Sequence, residues 1–318
     1  MTSSLHERGW LVSWFEPSLE DCHGYCGRVD YGGHNYSDCQ ACPWGYRKYD
    51  GSVCSKCETS LNVYDWLYLG FMAVLPLLLH SFFIEYYAGT KCTRKLLALQ
   101  HLSSCIECVG AGLMCVLLVE PMGSFQITGC GVESLADWYT MFFNPTVNFS
   151  YTSHCTQEAV YPLYSLPFLY YGVSLLFLAV CRSSLLCAVR TNRTGASSAV
   201  YSALYFYPAL SMAHAMLAGL LYYSFPCLLL CTCLVTNAVH LASYEHQNFR
   251  ALALEAVGVR NLCTLLTHAF LFGYCIVSLS YFSPENNHLA AWCASGLVPV
   301  PTLFYMLTAP LTGASKDP

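Results

Sequence analysis

The chain has 318 residues, of which 55% are hydrophobic and only 10% charged, with a mean hydropathy of +0.43 and a formal net charge of -5. A composition this apolar excludes an ordinary soluble domain of the same size. The weak negative charge gives no electrostatic reason to expect nucleic acid as a partner.

Residues 1–21 lack a basic start followed by an apolar core, so they are read as an extension and not as a secretory signal. Residues 22–63 form a cysteine-rich module. It holds Cys22, Cys26, Cys39, Cys42, Cys54 and Cys57, the last four as two Cys-x-x-Cys pairs in CQACPWGYRKYDGSVCSKC. Four thiolates so spaced can close a zinc site, and the same thiols can be oxidised into bridges. The compartment must decide.

Seven apolar stretches are long enough to be membrane helices: 66–84, 96–119, 163–181, 199–221, 225–242, 262–282 and 289–309. The fourth and fifth run together and are divided at LLYYSFPC, where Pro226 and its aromatic neighbours suit a tight turn at a membrane surface. Pro76, Pro208 and Pro301 fall inside spans, which a helix bundle tolerates.

Basic residues set the orientation. Lys91, Arg94 and Lys95 follow the first span; Arg182, Arg190 and Arg193 the third; Arg250 and Arg260 the fifth; Lys316 the seventh. The loops 120–162, 222–224 and 283–288 contain no Lys or Arg, so the positive-inside rule places the N-terminus in the lumen and the C-terminus in the cytosol. A luminal module lies where disulfides persist, and this favours bridges over zinc. Six cysteines allow 15 connectivities, so the pairing is left open.

The expected architecture is therefore an all-α polytopic membrane protein with a small disulfide-rich luminal module, a membrane domain over 64–311 and a short cytosolic tail over 312–318. In the luminal loop 120–162, Cys130 and Cys155 are placed to bridge each other. Ser134 heads SLADWYTMFF, which reads either as a short interfacial helix or as an ordinary packed loop. Asn35 and Asn148 are glycosylation acceptors on the luminal side.

Glu107 lies mid-span, where a carboxylate is expensive unless paired or neutral. Its plain reading is a protonated group bonded to Ser103, Ser104 or a neighbouring helix; the sharper one is a transporter or intramembrane enzyme centred on it. His80, His101, His214, His240 and His268 also lie in or at spans, yet no HExxH, GxSxG, P-loop or GxGxxG appears. No catalytic, cofactor or metal site is expected. Span three ends in AVCRSS and span seven lacks NPxxY, which argues against a seven-span receptor.

The stretches YDWLYLGFMAVLPLLLHSFFIEYY (64–87), ADWYTMFFNP (136–145), HCTQEAVYPLY (154–164), YSALYFYPAL (201–210) and GLLYYSFP (219–226), with CQACPWG at 39–45, closely resemble the Jun-kinase-associated membrane protein family. The resemblance runs from about residue 22 to 312 and implies a seven-span endoplasmic reticulum adaptor. Such adaptors recruit proteasome regulatory subunits and reticulum-associated degradation components, contact RING-type ubiquitin ligases, and prolong Jun N-terminal kinase signalling. The expected surroundings are the lipid bilayer and these partners, and the expected ubiquitin acceptors are Lys91, Lys95 and Lys316.

Overall fold

The computed structural model describes residues 21–33, 35–88, 94–143, 155–189, 194–242 and 262–282, with isolated positions between 296 and 308. Five long helices dominate: α1 (Val63–Ala88), α2 (Arg94–Leu118), α3 (Ser165–Val189), α4 (Thr194–Ala242) and α5 (Leu262–Phe282). Four of them, α1 to α4, are long and apolar enough to cross a membrane, and Leu266–Phe282 of α5 is a shorter apolar helix. Of the stretch 289–309, eight positions between 296 and 308 are described, seven of them helical.

Polarity is distributed inside out. On α2, Leu99, Leu102, Ile106, Val109 and Leu113 recur at three- and four-residue spacing and face outward, while Ser104 and Glu107 of the same helix are buried. That arrangement suits a bundle whose solvent is hydrocarbon. The bundle interior packs Tyr68, Tyr171, Tyr207 and Phe225 at 1% exposure or less. Asp65 anchors the start of α1, its Oδ2 accepting the Asn62 N–H at 3.0 Å and its Oδ1 the Tyr222 hydroxyl at 2.7 Å.

The turn expected at 222–224 does not form. α4 continues through LLYYSFPC as a single helix of 49 residues. Pro226 has no N–H to donate to the carbonyl of Tyr222, one turn back, which ordinarily breaks a helix. Here the Tyr64 hydroxyl of α1 donates to that carbonyl at 2.7 Å, so the orphaned acceptor is satisfied from a neighbour. The two halves of α4 dock differently: Tyr207 and His214 meet His80 and Tyr68 of α1, whereas Pro226 and His240 meet Cys275 and His268 of α5.

A compact cap covers the α1 end of the bundle. β1 (Tyr46–Lys48) pairs antiparallel with β2 (Cys54–Lys56), and β3 (Thr59–Ser60) pairs with β4 (Thr128–Gly129), which belongs to the loop after α2. SLADWYTMFF contains a 3-10 turn over Leu135–Trp138, with Asp137 and Trp138 turned inward, while Met141, Phe142 and Phe143 remain exposed. Trp138 seats the cap on the bundle against Tyr68 and Tyr222. Gly219 of α4 permits the contact, because a Cβ there would come within 2.7 Å of the Trp138 Cβ.

Candidate functional site

The polar centre of the bundle joins three helices. Arg182 of α3 donates from Nε to Oε1 of Glu107 on α2 at 2.7 Å, and Ser103 Oγ donates to the same oxygen at 2.6 Å. Arg182 Nη2 donates to Ser104 Oγ at 2.7 Å and lies 3.5 Å from His80 Nδ1 of α1. His80 Nε2 is 3.3 Å from the Tyr207 hydroxyl of α4, which extends the chain of contacts to a fourth helix.

Two expectations are corrected here. Arg182 does not flank the membrane helix in the cytosol; it is inside α3 and 1% exposed. Glu107 does bond Ser103, but its main partner is this cation, and Ser104 serves the arginine instead. The physical reason is that a carboxylate deep in a bundle is best met by a group that brings opposite charge and several donors. Sequence reading missed the pair because span three was closed at residue 181, although SSLLCAV continues apolar beyond Arg182. An unpaired Glu107 in the adjacent span was the signal for extending it.

Other histidines make further contacts in the bundle. His214 Nε2 lies 2.8 Å from the Tyr164 carbonyl and its Nδ1 3.3 Å from the Tyr68 hydroxyl. His101 lies 3.9 Å from Glu85, and His240 faces His268 at a ring separation of 5.6 Å.

The cap is held by four bridges: Cys22–Cys39, Cys26–Cys155, Cys42–Cys54 and Cys57–Cys130. All eight expected cysteines are used. The expected Cys130–Cys155 bridge is absent among them; each of these residues instead reaches back to the N-terminal segment. Geometry explains the choice, because β3–β4 pairing and the Cys130 N–H donating to the Tyr161 carbonyl at 2.7 Å carry Cys130 to Cys57. Two bridges thereby join the module to the loop 120–162, and neither Cys-x-x-Cys pair is bridged internally.

Polar contacts reinforce that union. Asp137 Oδ1 accepts Arg47 Nη2 and the Tyr25 hydroxyl, each at 3.2 Å, and its Oδ2 accepts the N–H groups of Glu133 and Ser134. Burial first, then the Asp137 charge, pushes the Tyr25 phenol up to about 12. Gln157 accepts the Cys42 N–H and donates to the Tyr25 carbonyl. Glu158 accepts Trp44 Nε1 at 2.9 Å and the Ser165 N–H at 3.1 Å; burial nevertheless raises its pKa above the ordinary carboxylate value.

Of the expected modification sites, Asn35 is exposed at the tip of a turn, and Lys95 is exposed at the start of α2. Asn148, Lys91 and Lys316 lie outside the described residues.

A family model described as JNK1/MAPK8-associated membrane protein matches residues 22–314. The chain is 39% identical over 298 residues to proteins of that name from Mus musculus and Homo sapiens, covering 92% of this chain and 93% of each relative. It is 32% identical over 322 residues to a Caenorhabditis elegans homolog, with 95% of both chains covered. No solved structure matches it.

Proposed function

The chain belongs to the JNK1/MAPK8-associated membrane protein family, and from that premise we propose that it is an endoplasmic reticulum membrane adaptor. On this reading it binds a stress-activated Jun kinase and modulates the duration of its signalling. It also recruits proteasome regulatory subunits, a RING-type ubiquitin ligase and other degradation components for clearance of misfolded proteins. The observation that carries the proposal is sequence identity along nearly the whole length of relatives named for association with this kinase at a membrane.

The cap is luminal in this account, with glycans on Asn35 and Asn148, and the C-terminus is cytosolic. Disulfide bonding of all eight cap cysteines supports an oxidising compartment. Seven crossings are counted on this reading, from the apolar stretches and the distribution of basic residues. That count divides Tyr201–Ala242 in two and requires the chain to reverse near Pro226, whereas α4 runs through Pro226 as one helix. Lys91, Lys95 and Lys316 face the cytosol as ubiquitin acceptors.

A second reading is transport or catalysis centred on Glu107, whose Oε1 is occupied by Arg182 and Ser103 while the buried Oε2 has no partner among the described residues. Proximity labelling from a C-terminal tag during reticulum stress tests the adaptor reading. Enrichment of proteasome caps and Jun kinase is expected for both the native chain and Glu107→Gln. Labelling that contains neither partner contradicts adaptor function, and loss of both in a Glu107→Gln chain that is still inserted and keeps its four bridges favours the carboxylate reading.

A further inference from the structure

A cavity of about 360 Å³ lies where the cap meets the last turn of α2 and the first turn of α3. Its volume falls within the usual range of small-ligand sites, roughly 300–1,000 Å³. Two aromatic rings form one wall: Trp44 and Tyr161 meet edge to face with centroids 5.3 Å apart. The bond from Trp44 Nε1 to Glu158 fixes the indole, although Trp44 is 71% exposed. Glu120 and Glu158 are both close enough to act on the Tyr161 phenol, whose pKa is raised first by burial and then by their charges.

Ions are arranged asymmetrically around this wall. Lys56 and Glu120 are the cation and the anion among the lining residues, with Lys56 Nζ 3.8 Å from Glu120 Oε2. An aromatic corner in the field of two carboxylates attracts an ammonium group. Lys56, on the same lining and 3.8 Å from Glu58 as well as from Glu120, suits a phosphate. The rest of the lining mixes Val119, Met122 and Leu166 with Tyr46, Thr128 and Ser165, and Leu118 of α2 and Leu169 of α3 are exposed on it, toward the face where hydrocarbon lies if these helices cross a membrane.

We propose that this cavity binds one zwitterionic glycerophospholipid, its ammonium group against Trp44 and Tyr161, its phosphate on Lys56 and its acyl chains along Leu118 and Leu169. A soluble ligand would have no use for the apolar side, and an anionic headgroup would meet Glu120 without an ammonium to offset it. The inference rests on the proposed membrane placement of α2 and α3, and is independent of the adaptor function.

The test uses the full chain purified in detergent and offered phosphatidylcholine, phosphatidylethanolamine or phosphatidylglycerol with identical acyl chains, with bound lipid counted by native mass spectrometry. One retained zwitterionic lipid is expected, lost in Trp44→Ala and weakened in Glu120→Gln, while both variants keep the four bridges on non-reducing peptide mapping. Soluble phosphocholine is expected not to displace it. Equal retention of phosphatidylglycerol, retention unchanged in both variants, or displacement by phosphocholine alone would each overturn the site. Retention of no lipid of any class would overturn the site alone, since carbonate extraction reads the membrane placement independently.

Discussion

Arg182 and Glu107 meet through a single contact, Nε to Oε1 at 2.7 Å, with side chains 1% and 0% exposed. Ser104 draws Arg182 Nη2 away from the carboxylate, so Glu107 Oε2 and Arg182 Nη1 find no partner among the described residues. The pair therefore fastens α2 to α3 through one strong contact and a serine relay. Removing one partner leaves a buried charge behind, which costs roughly 3–5 kcal/mol, whereas replacing both by apolar groups is often neutral or stabilising. Arg182→Met is predicted to lower the melting temperature of the purified chain sharply, and Arg182→Met with Glu107→Leu to recover most of the loss. A double variant as unstable as the single one would show that the charge pair is not the source.

The bridge between Cys57 and Cys130 closes 73 residues of sequence, including α1 and α2. Chain-entropy reasoning assigns such a closure about 4 kcal/mol. Cys57→Ser is predicted to destabilise the cap and leave Cys130 as a free thiol, detectable by alkylation and peptide mapping. Recovery of a Cys130–Cys155 peptide from the native chain would contradict the pairing found here.

Tyr64 completes the hydrogen bonding that Pro226 forfeits in α4. Tyr64→Phe is predicted to cost about 1 kcal/mol, a typical net value for one hydrogen bond. Pro226→Ala restores the main-chain donor, so in that background Tyr64→Phe should cost measurably less. A double-mutant cycle of thermal unfolding reads the coupling, and zero coupling would separate the hydroxyl from the proline.

Glu158 gives the cap a pH dependence of definite sign. Its folded-state pKa is raised above the ordinary 4.5 by burial, so the folded cap holds this proton more tightly than the unfolded chain does. The stabilising contribution is complete below the ordinary value and is lost as pH rises through the folded one. Near-UV circular dichroism melts are predicted to show that loss in the native chain and a flatter profile in Glu158→Gln. Parallel profiles would assign the dependence to other groups.

Hydropathy made most of the helices legible, because an apolar run of about 20 residues has few alternatives to a membrane helix. The eight cap cysteines were legible as a set, yet their pairing was not. Cys130 goes to Cys57 because β3 and β4 pair, and two-residue strands leave almost no periodic signal. Pro226 was misleading for a related reason: the residue that rescues its helix, Tyr64, lies 158 positions before the Tyr222 carbonyl it bonds. Arg182 was hidden by its charge, since a basic residue at the end of an apolar run ordinarily marks the membrane surface. Only the carboxylate across the helix interface explains its burial.

The placement of the cap in the lumen, opposite a cytosolic face that binds the kinase, is the claim on which the functional account depends. It is tested most directly by endoglycosidase H treatment of the full chain carrying Asn148→Gln, so that exposed Asn35 is the remaining luminal acceptor. The account predicts a mobility shift of one glycan that disappears in Asn35→Gln. A chain that is membrane-inserted and disulfide-bonded but never glycosylated at Asn35 would contradict it.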